Sequence, residues 1–326
     1  MRKLILVLLI ALMVLPVNSQ TITRDDHTLV STFSIVGRDP DTGEMGVAVA
    51  SRFFAVGTVV PWAKADIGAV ATQSFANTSF GWRALDLLKE GASPEQVRNI
   101  LIQNDDTPEG RQFGIVSSNG ASVTYTGKDC VPWAGGRAGE NYACQGNILT
   151  GEDVVTALEE TFLKTKGTLA DRLYAALLAG HAKGGDSRGK QSAALLVVKE
   201  GAGYGGYTDR AIDVRVDDHA EPFVELGRLL NYAQMNYLWN EAWTAYQQKD
   251  YEKALPLMLK TAEVASDNPE VLYDLVVIQT VSGRLDDAIE TLKKTVKLSP
   301  KLKAQAAGDN AIKELRERKD FQEIIR

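Results

Sequence analysis

The chain has 326 residues, of which 44% are hydrophobic and 24% are charged, and its net charge is −6. These values are ordinary for a globular protein, and the length favours two domains over one. Because nucleic-acid binding depends mainly on lysine and arginine against phosphates, an acidic chain with no long basic run argues against a nucleic-acid partner.

Residues 1–19 have the pattern of a secretory signal peptide. A basic start precedes an unbroken apolar run, and Val17 and Ser19 fit the third-last and last positions before a cleavage site. The run is too short to span a bilayer comfortably. We therefore expect cleavage before Gln20, a polar leader over residues 20–31, and a periplasmic or secreted protein without a stable membrane anchor. An uncleaved anchor is the alternative.

The first predicted hairpin joins residues 32–38 to residues 45–51 through a turn rich in Asp, Pro and Gly. Thr32 begins the first strand. A threonine at this position is either only a strand former or a nucleophile held on a rigid edge, and the hairpin alone does not decide between the two.

The following elements come in blocks, with strand-like runs and pairs of helices kept apart. Further strands are predicted in the segment that ends at residue 73, and also over residues 192–198 and 211–216. Two more strands flank Asn119-Gly120, a dipeptide that is a strong hairpin signal. The predicted helices are 82–90, 94–103 behind Ser93, 153–164 behind Thr150, and 169–182 behind Thr168. Such segregation favours an α+β fold with antiparallel sheets over a doubly wound parallel sheet.

Residues 127–145 are predicted to form a glycine-rich loop that holds both cysteines, Cys130 and Cys144. In an oxidising compartment such a pair forms a disulfide more often than two free thiols, so we expect a disulfide. A catalytic thiol is the alternative, but no histidine lies nearby in the sequence.

From residue 222 onward, helix formers dominate. Residues 248–255 align with residues 282–289 at a shift of 34, and a helix-turn-helix unit of this period resembles the tetratricopeptide repeat. We therefore predict an all-α repeat domain over residues 222–326, with helices at both ends that cap the repeats. A protein partner bound through these repeats is expected.

Two glycine-rich stretches look like nucleotide-binding motifs and are interpreted as loops. Residues 201–206 match G-x-G-x-x-G, but the segment that follows is strand-like, not helical. Residues 184–190 nearly match a P-loop, but Gln191 replaces the required Ser or Thr, and a strand follows. The three histidines lie far apart. Neither a cofactor nor a metal is predicted.

A set of motifs in fixed order resembles the family called domain of unknown function 1028. The motifs are residues 32–36, 46–51, 69–73, Arg111-Gln112, Gln145-Gly146-Asn147, 184–192 and 216–219. The resemblance covers roughly residues 30–232. That family is grouped with the N-terminal-nucleophile hydrolases, which implies a four-layer αββα sandwich over residues 32–221.

The resemblance also implies a chemistry. The nucleophile would be the Thr32 hydroxyl and the base its own α-amino group, which titrates near 7.7–8.0 and can therefore accept a proton at neutral pH. By looser correspondence, Lys64 would help to activate the nucleophile, Asp186 and Ser192 would lie beside it, and Asn77 would stabilise an oxyanion.

One feature departs from the pattern. Signal cleavage before Gln20 leaves residues 20–31 ahead of Thr32, so its α-amine is free only after a second cut between Ser31 and Thr32. Two hypotheses follow. The protein is an exported hydrolase of a small amide, peptide or cell-wall-derived fragment, or it is an inactive sandwich that binds a ligand or a protein, with the repeats as an adaptor.

Overall fold

A computed structural model of the chain describes residues 32–326, and the predicted signal peptide and leader lie outside that range. Its strands are β1 Thr32–Arg38, β2 Met45–Ser51, β3 Pro61–Lys64, β4 Gly68–Ser74, β5 Arg111–Ser117, β6 Ser122–Thr126, β7 Gly135–Gly139, β8 Tyr142–Gly146, β9 Ser192–Val198 and β10 Arg210–Val216. Its helices are α1 Ser79–Lys89, α2 Pro94–Gln103, α3 Asp153–Lys164, α4 Leu169–Ala182, α5 Pro222–Gln247, α6 Tyr251–Val264, α7 Pro269–Val281, α8 Leu285–Leu298, α9 Leu302–Gly308 and α10 Lys319–Ile325.

The strands form two antiparallel sheets. One has the order β10-β9-β2-β1-β8-β7 and the other the order β3-β4-β5-β6. Helices α3 and α4 pack on the outer face of the six-stranded sheet, and α1 and α2 pack on the outer face of the four-stranded sheet. The predicted α+β fold and the αββα layers are therefore confirmed.

Side chains alternate between two environments along β1 and β2, as the period of a strand requires. Phe33 and Ile35 lie in the core beneath α3 and α4, whereas Val36 and Val49 lie in the core between the sheets. The six-stranded sheet is thus buried on both faces, and the four-stranded sheet is covered on its outer face by α1 and α2. Any polar side chain on the inner face must find its hydrogen bonds inside the sandwich.

Two of the three N-cap residues predicted from the sequence are confirmed. Ser93 forms a capping box with Gln96, and Thr168 forms one with Asp171. The cap predicted at Thr150 is wrong. Glu152 stands at the start of α3, and the Thr150 hydroxyl donates instead to the Lys183 carbonyl, joining this loop to the end of α4.

The loop predicted over residues 127–145 is also wrong, because β7 and most of β8 lie within it. Glycine is a poor strand former, but here it allows close packing. A Cβ on Gly136 would lie 2.6 Å from the Thr124 hydroxyl of β6. The absence of side chains therefore lets β7 approach the other sheet.

The expected disulfide is not formed, and Cys130 and Cys144 are both free and buried. Cys144 lies opposite Ile35 and faces the helices, with its sulfur 3.8 Å from the Val155 carbonyl. The Cys130 thiol donates to the Arg111 carbonyl, 3.3 Å away in the four-stranded sheet. The two sulfurs therefore point to opposite sides of the six-stranded sheet.

The C-terminal helices pack as successive antiparallel pairs, α5 with α6 and α7 with α8. The 26-residue α5 belongs to two cores. Phe223 and Leu226 near its start pack beneath the sandwich helices, and Ala242 and Ala245 near its end pack among the repeat helices. At the C-terminus Phe321 is buried in the core of the repeat helices.

Within residues 32–326 no helix combines the length and apolarity that crossing a membrane requires.

Candidate active site

Three hydroxyl side chains line up across the inner face of the six-stranded sheet. Thr32 lies directly opposite Ser51, and Ser51 lies directly opposite Ser192. All three are at most 2% exposed. Residues opposite each other in an antiparallel pair share a face, with Cβ atoms about 4.5–5.5 Å apart. The Thr32 hydroxyl donates to the Ser51 hydroxyl at 3.3 Å.

The main chain of Thr32 is held by both sheets. Its carbonyl accepts a hydrogen bond from the Asn147 N–H at 3.0 Å, just beyond β8, and another from the Gln73 side-chain amide at 3.1 Å, on β4 of the opposite sheet. The position of Thr32 is therefore fixed relative to both layers and does not depend on β1 alone.

A network of buried amides continues from this point through the space between the sheets. The Gln73 oxygen accepts from the Ser34 hydroxyl at 2.6 Å, and that hydroxyl in turn accepts from the Gln145 amide at 2.6 Å. Gln73 also donates to the Gln112 oxygen at 2.9 Å. The three glutamines are 0% exposed, so these bonds replace the hydration that the amides lose on folding.

Gln112 links the network to the edge strands. Its amide donates to the Gly146 carbonyl at 2.7 Å and to the Thr126 hydroxyl at 3.0 Å, and its oxygen accepts from the Asn147 amide at 2.9 Å. Gly114, on the same face of β5, leaves space for Gln145, since a Cβ there would lie 2.1 Å from the Gln145 oxygen.

No glutamine is among the site residues predicted from the sequence, although Gln73, Gln112 and Gln145 all lie in the motifs that carry the family resemblance. A usable signal was present. Gln73 and Gln145 each interrupt a run of apolar or small residues in a strand, and Gly114, two residues after Gln112, marks a close approach inside β5. The pairing of these residues across two sheets is a tertiary property that one sequence does not reveal.

Asp186 and Ser192 shape the segment that follows Ser51. The Asp186 carboxylate accepts from the Arg52 N–H at 3.0 Å and pairs with the Arg188 guanidinium at 3.0 Å. The Ser192 hydroxyl donates to the Phe53 carbonyl and accepts from the Val56 N–H at 3.2 Å. The structure thus brings both predicted residues to the end of β2, where these bonds position the backbone.

Lys64 and Asn77 are not brought to Thr32. Lys64 is exposed at the end of β3, opposite Gly68. Gln73, which bonds to the Thr32 carbonyl, lies five residues further along β4 than Gly68, the residue opposite Lys64. Five residues of a strand correspond to about 17 Å at roughly 3.4 Å per residue. The Asn77 side chain starts α1 by accepting from the Ser79 N–H at 3.1 Å, on the outer side of the four-stranded sheet. Their expected roles remain predictions, and the positions of these two side chains give those roles no support.

In the part of the chain that the structure describes, no group of three or more His, Cys, Asp or Glu side chains is placed to hold a metal ion.

Comparisons with known proteins match two separate parts of the chain. A model described as a family of unknown function (DUF1028) matches residues 32–226, and a tetratricopeptide-repeat model matches residues 245–309. The crystal structure of protein SPO2555 from Silicibacter pomeroyi, which the DUF1028 model also matches, is similar with a TM-score of 0.56 and 28% sequence identity. The similarity covers 62% of this chain and 89% of that one. No curated protein matches the chain.

Proposed function

The chain belongs to the DUF1028 family, and from the geometry around Thr32 we propose that its sandwich is an exported amide hydrolase whose nucleophile is the Thr32 hydroxyl. Cleavage of the Ser31–Thr32 bond would free the α-amine that serves as the base. The substrate class is a small amide or peptide. The observation that carries the proposal is the hydrogen bond from the Thr32 hydroxyl to Ser51. Thr32 itself is held in place by both sheets.

A second observation agrees with it, since the family match begins at Thr32 itself. The part of the chain shared with the family therefore starts at the residue that would become the N-terminus. Cleavage there would expose an amine directly beside the hydroxyl that it must deprotonate.

The reaction would proceed in two halves. The Thr32 oxygen attacks the amide carbonyl carbon while the α-amine takes the hydroxyl proton. The tetrahedral intermediate then collapses, the carbon–nitrogen bond breaks, and the resulting ammonium gives its proton to the leaving amine. A water molecule, deprotonated by the same α-amine, cleaves the ester on Thr32 and restores the hydroxyl.

Ser51 would act as a positioning residue. By accepting the hydrogen bond of the Thr32 hydroxyl at 3.3 Å, it restricts the rotation of that side chain. Orientation of this kind lowers the barrier because the nucleophile does not have to be ordered during the reaction.

The experiment combines N-terminal mass spectrometry with an activity screen. Protein exported by its native host is expected to begin at Thr32 and to hydrolyse members of an amide and short-peptide library. Thr32→Ala should abolish turnover, Thr32→Ser should keep part of it, and Thr42→Ala, on the exposed turn of the same hairpin, should behave as wild type. A Gln20 start together with no turnover across the library would instead favour a binding module, and turnover unaffected by Thr32→Ala would show that Thr32 is not the nucleophile.

A further inference from the structure

A cavity lies away from the Thr32 site, where the sandwich meets the repeats. It has a volume of about 350 Å³ and is lined by Tyr204, Asn236, Trp239, Asn240, Trp243 and Asp274. Tyr204 comes from the loop between β9 and β10, whereas the other residues come from α5 and α7. We refer to these six residues as the aromatic cavity.

Asp274 is the charged residue of the aromatic cavity. Its carboxylate accepts one hydrogen bond, from the Trp239 indole at 2.8 Å, whereas a carboxylate has about four acceptor positions. Within residues 32–326 it forms no ion pair with a lysine or arginine, and its charged neighbours, Glu270 and Asp309, are themselves acidic. A partly buried negative charge without a counter-ion is costly, so a cation would be favoured here.

The aromatic side chains supply the faces that attract a cation. Trp239 and Trp243 lie on the same side of α5, and Trp243 stacks on Tyr246 with ring centroids 4.8 Å apart. Tyr204 completes the wall although it is 88% exposed. Aromatic faces attract ammonium and guanidinium groups through the negative potential of the ring.

The loop that carries Tyr204 is held in place by Asn240. The Asn240 amide donates to the Gly203 carbonyl at 2.8 Å, and its oxygen accepts from the Gly205 N–H at 2.9 Å. Both neighbours of Tyr204 in the loop are therefore fixed to α5. An exposed aromatic residue between two such anchors is presented to a partner in a defined position.

We propose that the aromatic cavity binds the lysine or arginine side chain of a basic peptide, with Asp274 as the acceptor of its N–H groups and the aromatic rings around its charge. This inference is independent of the chemistry at Thr32. It also assigns a definite partner chemistry to the junction between the sandwich and the repeats.

The shape of the surface favours a peptide over a free amine. A second cavity of about 260 Å³ shares Tyr204, Asn236 and Asn240 with the first and continues toward Ala211 and Ile212 on β10. A groove that extends past the charged pocket can hold the residues on either side of the basic side chain. A free amine would leave that groove empty.

The protonation state of Asp274 adds a pH dependence. Burial raises the pKa of this carboxyl to about 6, and the acidic Glu270 and Asp309 act in the same direction, whereas the Trp239 hydrogen bond opposes them. The phenols of Tyr246 and Tyr273 also face it but do not ionise in this range. Binding of a cation should therefore strengthen as the pH rises from 5 to 7.

The test is calorimetry and tryptophan fluorescence on the full chain with four probes: acetyl-Gly-Lys-Gly-amide, acetyl-Gly-Arg-Gly-amide, the glutamate analogue and choline. We expect the two basic peptides to bind, and Asp274→Asn to weaken them at least tenfold. Asparagine can still accept the Trp239 hydrogen bond, so the fold should be retained. Glu263→Gln removes one negative charge from an exposed position on α6 and should change binding less than twofold.

Tyr204→Ala gives a second variant, since an exposed loop residue can be replaced without loss of the core, and it should weaken binding about threefold or more. Equal binding of the glutamate peptide, absence of binding by both basic peptides at millimolar concentration, or an unchanged affinity in Asp274→Asn would each overturn the proposal. Tighter binding of choline would overturn the assignment to cations that carry N–H groups.

Discussion

The hydroxyl of Thr32 donates a 3.3 Å hydrogen bond to the hydroxyl of Ser51, the residue directly opposite it on β2. Since Ser51 is itself opposite Ser192, the orientation of Thr32 depends on three neighbouring strands of one sheet. The bond places a defined partner beside the nucleophile that we propose, and removal of this partner is the most direct perturbation of its geometry.

Ser51→Ala should therefore lower kcat for the proposed amide hydrolysis by about 10- to 100-fold with a small change in KM, because orientation is lost while substrate contacts remain. Steady-state kinetics would measure the effect. Ser118→Ala, in an exposed turn, is the matched control. An unchanged kcat in Ser51→Ala would show that the Thr32–Ser51 bond has no part in the reaction.

The pH dependence of the reaction should report the α-amine of Thr32. An α-amino group titrates near 7.7–8.0, and only its unprotonated form can accept the hydroxyl proton. We therefore expect kcat/KM to rise with pH and to level off above about 8. A plateau already present at pH 6 would indicate a different base.

Gln112→Leu should destabilise the protein by about 2–4 kcal/mol, because it leaves the buried partners of Gln112 without their hydrogen bonds. These partners include the Gly146 carbonyl and the Thr126 hydroxyl. Urea unfolding would measure the change. The same substitution at exposed Gln103 should stay within about 0.5 kcal/mol, and an equal effect at both positions would mean that the network contributes little.

The two cysteines should behave as inert thiols. Burial raises the pKa of the Cys144 thiol to about 12, and Glu159 adds to this effect; burial also raises the pKa of Cys130. A thiol-specific reagent at pH 8 should therefore label neither cysteine in the native protein and both after denaturation. Reducing agent should leave the Tm unchanged, and a Tm that falls on reduction would contradict this.

Asp274→Asn should stabilise the protein at neutral pH while it weakens cation binding. The folded pKa of about 6 lies above the ordinary value of 3.8, so the stability associated with the protonated carboxyl is full below about pH 4 and is lost as the pH rises through 6. The variant avoids that loss and should gain about 2 kcal/mol at pH 7. Without this gain, the carboxylate would have to be well solvated in the native state.

Local signals in the sequence predicted most of the elements. Ser93 and Thr168 form the caps that their spacing indicates, and the alternation along residues 32–51 places the first hairpin correctly. These features depend on neighbours in the chain, which is why they can be read from one sequence.

The incorrect predictions share a different cause. The strand β7 packs closely against β6 where Gly136 has no side chain, and the glutamines, which were not predicted, bond across two sheets. Cys130 and Cys144 lie close in the sequence but face opposite sides of a sheet. In each case the outcome depends on which residues meet in three dimensions, and spacing along the chain does not contain that information.

The continuity of α5 has a mechanical consequence. Phe223 anchors its start in the sandwich, and Ala245 anchors its end in the repeats, with no flexible linker between them. Insertion of a single residue near Ala233 would turn everything that follows by about 100° around the helix axis. Trp239 and Asp274 would then swing away from Tyr204, so the register of one helix determines whether the aromatic cavity exists.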